Sequence, residues 1–149
     1  GMKQRLKSVE SSLTAAGIEI SWVLSEKELN NKIRNTEYFA EYPVDTVISL
    51  ANNDTEKAVD IILNNDTISW KLYGEGRSEK LVYYLDKGVI QKLVVLNDYY
   101  MGYQSINLAA QNIRYHTEKT EQYEVEFYMV SKENLYDEET SRILFPTVR

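Results

Sequence analysis

Three apolar runs between Thr67 and Leu96 are separated by two glycine-bearing turns, and this spacing constrains the chain more than any other feature. Thr67 to Tyr73 is followed by Gly74-Glu75-Gly76, Lys80 to Leu85 by Asp86-Lys87-Gly88, and Val89 to Leu96 closes the series. Glycine tolerates the left-handed backbone of tight turns, so each triplet reads as a reversal between strands. The loop at 86–88 predicts that 80–85 and 89–96 are hairpin partners. Asn112 to Thr117 and Gln122 to Val130 read as a second hairpin around Glu118-Lys119-Thr120-Glu121. Between them, Tyr103 to Leu108 fits a strand and Ile106 to Ile113 fits a helical turn. Asp137 to Phe145 reads as a short last helix stopped by Pro146.

The first half carries helical signals instead. Leu6, Val9, Leu13 and Ala16 share one stripe, and Gly17 stands where a helix-ending glycine belongs. Gly1 ahead of Met2 reads as a scar of tag removal and is left out of the fold argument. Ile18, Ile20, Trp22 and Leu24 alternate, which predicts a short strand. Ser25-x-x-Glu28 is a capping box, predicting a helix from Glu26 to about Glu37. Pro43 can start a third helix carrying Val44, Val47, Ile48 and Ala51. Asp54 can cap a fourth carrying Ala58, Val59, Ile62 and Leu63. The expected fold is therefore a single α+β domain over 1–149. Helices from 1–65 pack on an antiparallel β-meander of four to five strands formed by 66–149.

Val44 to Asn65, VDTVISLANNDTEKAVDIILNN, resembles the second and third helices of ubiquitin-associated domains, where an Asn-rich turn precedes a helix of this form. The resemblance covers 22 of the 149 residues. It implies a helix-turn-helix and no binding residues, because the usual recognition loop is replaced by Tyr38-Phe39-Ala40-Glu41-Tyr42-Pro43.

Charge narrows the partners. Glu118 to Glu139 holds eight acids against Lys119 and Lys132, a net of −6, which is also the formal net charge of the whole chain. Such a surface repels phosphate backbones and attracts basic patches, so a basic protein partner is expected and nucleic acid is not. The chain has no cysteine, which excludes disulfides, thiolate metal sites and a Cys nucleophile. No apolar run can span a bilayer and no signal-type apolar segment follows the basic start, so a cytoplasmic location without membrane contact is expected. The strands around Val82 and Val94 are apolar on both faces and need cover on both sides. A two-fold homodimer would supply it.

No motif fixes a chemistry. His116 is the only histidine, and on a strand it shares a face with Arg114 and Glu118. Glu124 and Glu126 alternate with Tyr123, Val125 and Phe127, as a half-solvated strand demands. Tyr99, Tyr100 and Tyr103 cluster around Met101-Gly102 and offer flat rings with polar tips. Gly74-x-Gly76 lacks a following phosphate-binding helix pattern. The candidate contact residues are Tyr99, Tyr100, Tyr103, His116, Glu121, Glu124 and Glu126, with no catalytic residue, cofactor or metal expected. The leading expectation is a non-enzymatic intracellular interaction protein with an acidic surface. The alternative is a small-molecule-binding domain with a pocket between helices and a curved sheet. A hydrolase or isomerase using His116 with a carboxylate ranks last.

Overall fold

The computed structural model describes residues 2–96 and 127–145. Helix α1 (Met2–Ala15) ends on Gly17, whose φ is 74°. The N–H of Gly17 donates to Thr14 O and that of Ile18 to Leu13 O, which caps the last carbonyls. Ile18 to Leu24 forms no strand; it runs as irregular chain into α2 (Glu26–Lys32). The capping box is present, with Ser25 N donating to Glu28 Oε2 at 2.7 Å and Glu28 N to Ser25 Oγ at 3.3 Å. The helix stops short of the expected Glu37 because it buries no residue, leaving little to extend it. A single turn, α3 (Glu37–Glu41), follows and buries Phe39.

The expected third helix from Pro43 is instead strand β1 (Thr46–Ser49), with Val47 and Ser49 buried and Thr46 and Ile48 exposed. Its Val-Ile pair is β-branched and suits a pleated surface. Of the stretch that resembles a ubiquitin-associated helix pair, only α4 (Asn52–Asn64) is helical. Ala51, not Asp54, occupies its N-cap position. Strand β2 (Lys71–Glu75) then runs straight through Gly74, which the sequence placed in a turn.

The larger correction lies at 80–85. This segment is helix α5 (Glu79–Asp86), not a strand. Ser78 caps it, accepting from Leu81 N, and Leu81 and Leu85 are buried one turn apart. Gly88, at φ 81°, ends the helix rather than turning a hairpin. Its N–H donates to Leu85 O while Val89 N donates to Tyr84 O, the same double cap seen at Gly17. Strand β3 (Ile90–Leu96) follows, then β4 (Phe127–Ser131) and α6 (Glu138–Leu144), the last matching the helix expected before Pro146.

Helices between strands force crossovers, and crossovers make neighbours parallel. The sheet order is β1-β2-β3-β4, with β1–β2 and β2–β3 parallel and only β3–β4 antiparallel. The expected antiparallel meander is thus replaced by a mixed, mostly parallel α/β sheet. Helices α4 and α5 pack on each other, α4 over β1 and β2 and α5 over β3, so both lie on one face. The core beneath them includes Val59, Ile61, Leu72, Leu81, Leu85, Ile90, Leu93 and Val95. Where Leu72 pairs with Ile90, Tyr73 already pairs with Lys92. The extra residue, Gln91, lets Ile90 and Leu93 both point inward.

One buried hydroxyl fastens α4 to this sheet. Thr55 Oγ1 lies 2.8 Å from both Ala51 O and Glu75 O and 3.0 Å from Ser49 Oγ. Gly74 leaves room for it, because a Cβ there would collide with the Thr55 side chain. Thr55→Val keeps the shape and removes the hydroxyl. It should cost roughly 1–3 kcal/mol, the usual penalty of a stranded buried polar partner, read by chemical denaturation.

Candidate binding site at the carboxyl edge of the sheet

The two ends of the parallel strands differ in chemistry. Just before β1 and β2, aromatic rings close the amino end. Phe39 and Trp70 stand 4.9 Å apart, and Trp22 packs on both at 5.6 and 5.9 Å. The Trp22 indole N–H donates to Tyr42 O at 3.1 Å. Both tryptophans are packing residues, Trp70 in the core and Trp22 against it.

The carboxyl end carries polar turns instead. Open α/β sheets bind ligands in the crevice outside the carboxyl ends of their strands. Here the β1–α4 and β2–α5 turns meet, joined by Asn52. Its Oδ1 accepts from Arg77 N at 3.0 Å and Ser78 N at 3.3 Å, and its Nδ2 donates to Glu56 Oε1 at 3.1 Å. Glu56 Oε1 also accepts from Ser78 Oγ at 2.6 Å. Beside this network lies a depression of about 150 Å³ lined by Asn52, Glu75, Gly76, Arg77, Val94 and Leu96. Arg5 of α1 reaches over the same edge. Its guanidinium forms an ion pair with Glu75 Oε2 and donates to Leu50 O at 2.8 Å.

A larger hollow of about 320 Å³ lies between α2 and α3, lined by Asn31, Lys32, Asn35, Glu37, Tyr38 and Glu41. Four of these six are exposed, and the Lys32 ammonium sits 4.1 Å over the Tyr38 ring. The single-turn α3 starts there at Glu37, but no strand ends there, whereas two strand ends and two longer helix starts meet at the edge depression. Among the described residues, no group of three or more His, Cys, Asp or Glu could hold a metal. No helix among them is long and apolar enough to cross a membrane.

The sequence-derived candidates Tyr99, Tyr100, Tyr103, His116, Glu121, Glu124 and Glu126 all lie outside the described residues. The edge residues were missed because Asn52 and Gly76 each read as ordinary turn residues. A strand, a polar turn and a helix in succession was the available signal. It needed 46–49 to be recognised as a strand.

No family model and no curated protein matches the sequence. Solved structures do match the fold. An ABC transporter solute-binding protein from Agrobacterium vitis, bound to α-D-tagatopyranose, aligns at TM-score 0.80 and 16% identity over 97% of this chain and 50% of its own. The Caulobacter myo-inositol binding protein aligns at 0.71 and 18% identity over 93% and 49%. A carbohydrate transporter solute-binding protein from Agrobacterium radiobacter, in complex with D-arabinose, aligns at 0.64 and 22% identity over 78% and 39%. The chain spans about half the length or less of these structures. By fold it is an α/β unit of the kind found in solute-binding proteins.

This overturns the expected antiparallel interaction protein, its basic protein partner and its homodimer. The matched structures were solved with D-arabinose, α-D-tagatopyranose and myo-inositol bound. The dimer was invoked to cover Val82 and Val94, but α5 covers its own sheet face and turns Leu81 and Leu85 inward.

Behind the edge, in the first turn of α4, Asp54 carries a strained charge. Its Oδ1 is buried, with no hydrogen-bond partner among the described residues, and Lys57 Nζ stands 3.8 Å away. Burial raises its pKa above the ordinary aspartate range, only partly offset by Lys57, and Glu26 raises it further. A raised carboxyl binds its proton more readily folded than unfolded, so its charge costs stability at neutral pH. That cost is relieved as pH falls through the raised value. Asp54→Asn should therefore melt higher than the parent at pH 7. The difference should shrink toward zero below about pH 4, where both forms are neutral, as scanning calorimetry across pH would read.

Proposed function

We propose that this chain is a small-molecule-binding unit that takes a polar, sugar-sized ligand at the carboxyl edge of its sheet. One observation carries the reading. The depression at the strand ends combines an apolar wall, Val94 and Leu96, with the polar groups of Asn52, Glu75 and Arg77. Ligand sites are mostly apolar clefts with a few placed polar groups, and this edge has that composition. The likeness in fold to proteins solved with D-arabinose, D-fucose, tagatose and myo-inositol supports the same class of ligand. The small-molecule alternative raised by the sequence thus fits better than an acidic interaction surface. Its pocket lies at the strand ends, because the space between helices and sheet is filled by the core.

At about 150 Å³ the depression is smaller than the roughly 300–1,000 Å³ of ligand pockets. It forms one wall of a site, and a wall alone binds in the millimolar range rather than the micromolar. Titration of ¹⁵N-labelled protein with these four compounds should move the amide signals of Asn52, Gly76, Arg77 and Val94 first and saturably. Shifts that gather instead around Lys32 and Tyr38, or no saturable shift with any of the four, would refute the reading.

A further inference from the structure

The depression's polar groups are not equivalent, and the difference assigns a selector. Asn52 has both lone pairs of Oδ1 and one N–H committed within the protein. Gly76 has no side chain, and Val94 and Leu96 supply only apolar surface. Arg77 stands exposed at the rim and has an interaction of its own. Glu75 is different. It sits at the end of β2 with Val94 as its cross-strand partner, and its side chain is only 20% exposed. Arg5 binds Oε2 and is itself fixed by Leu50 O, so the carboxylate is held from one side. An ionised carboxylate is acceptor-only with about four lone-pair sites, and Arg5 occupies one oxygen.

We propose that Glu75 is the specificity-determining residue of this edge, accepting hydrogen bonds from a neutral polyhydroxy ligand and turning acidic ligands away. Arg5 is its positioning residue. A group left with acceptors only selects ligands rich in donors, which hydroxyls are. The C–H face of such a ligand suits the Val94–Leu96 wall. A ligand carboxylate brought beside Glu75 meets like charge at short range in a partly shielded place. This inference rests on the binding reading above, and its test separates the two.

The probes are D-galactose and D-galacturonate, which differ by one carboxylate. Titrations follow the edge amides in the parent, Glu75→Gln, Glu75→Asp and Arg5→Gln. The parent should bind galactose about tenfold or more tightly than galacturonate. Glu75→Gln should lose about tenfold in galactose affinity and bring the ratio of the two near one. Glu75→Asp keeps the charge, so it should weaken binding while keeping the preference. Arg5→Gln should weaken galactose and, by leaving the Glu75 charge uncompensated, weaken galacturonate more, so the ratio widens, a pattern that mere loss of fold would not give. If Glu75→Gln fails to fold, judged by its amide dispersion, the ratio in Glu75→Asp decides. Saturable edge shifts with an unchanged ratio in Glu75→Gln, or a lost ratio in Glu75→Asp, would overturn the role of Glu75 and leave the binding reading standing. No saturable edge shift in the parent with either sugar would overturn both.

Discussion

The hydroxyl of Thr55 is the point on which the carboxyl edge depends. It has one proton to give and two carbonyls, Ala51 O and Glu75 O, each at 2.8 Å. It can donate to one acceptor at a time, and Ser49 Oγ, 3.0 Å away, is a third partner. The group therefore ties the end of β1, the start of α4 and the end of β2 in one place. With the residue fully buried, no water replaces a lost partner. Gly74 and Thr55 are two halves of one decision, since the helix approaches this closely only where the strand lacks a side chain. The polar lining of the depression, from Asn52 to Glu75, Gly76 and Arg77, hangs from these two turns, while β3 supplies Val94 and Leu96. Asn52 then adds a second tie between the two turns, three residues beyond the end of β1.

Strand direction decides which end of the sheet stays available. Both crossovers return the chain over the same face, so all three parallel strands begin at one end and finish at the other. The beginning is filled by Trp22, Phe39 and Trp70, whose rings bury one another. The finish is where helices α4 and α5 start, and helix starts leave backbone N–H groups to be satisfied. Asn52 and Ser78 meet that need from within. The edge is consequently polar, with its turns already fixed by protein groups.

How much of this was legible turns on two glycines. Gly17 and Gly88 end helices by the same pair of hydrogen bonds. The first was read correctly because Leu6, Val9 and Leu13 mark a long helical stripe ahead of it. The second was read as a hairpin because Lys80 to Leu85 is short, and Leu81 and Leu85 satisfy a helix only if the intervening Val82 and Tyr84 are allowed to pack at its flanks. A short apolar run cannot be assigned by periodicity alone. That one misreading inserts a strand between β2 and β3, whose directions agree either way, and turns a parallel pair joined by a crossover helix into a three-stranded meander. The same ambiguity hid β1, whose four residues were absorbed into a helix. With β1 gone, Asn52 had no strand end to stand beside, and the edge could not be seen. The capping box at Ser25 and the last helix before Pro146 were legible because local chemistry alone specifies them.

The shallow depression also limits what this surface does alone. A ligand pocket typically buries 70–90% or more of a small molecule, and a hollow of about 150 Å³ at a sheet edge cannot enclose one. What it can do is orient. Asn52, and Glu75 through Oε2, are held by other protein groups, so on the proposed reading little ordering cost would remain for a ligand. Discrimination between ligands depends on the difference between two such contacts, not on their sum. On the proposed reading, a single wall built this way would choose between ligands better than it would retain either of them.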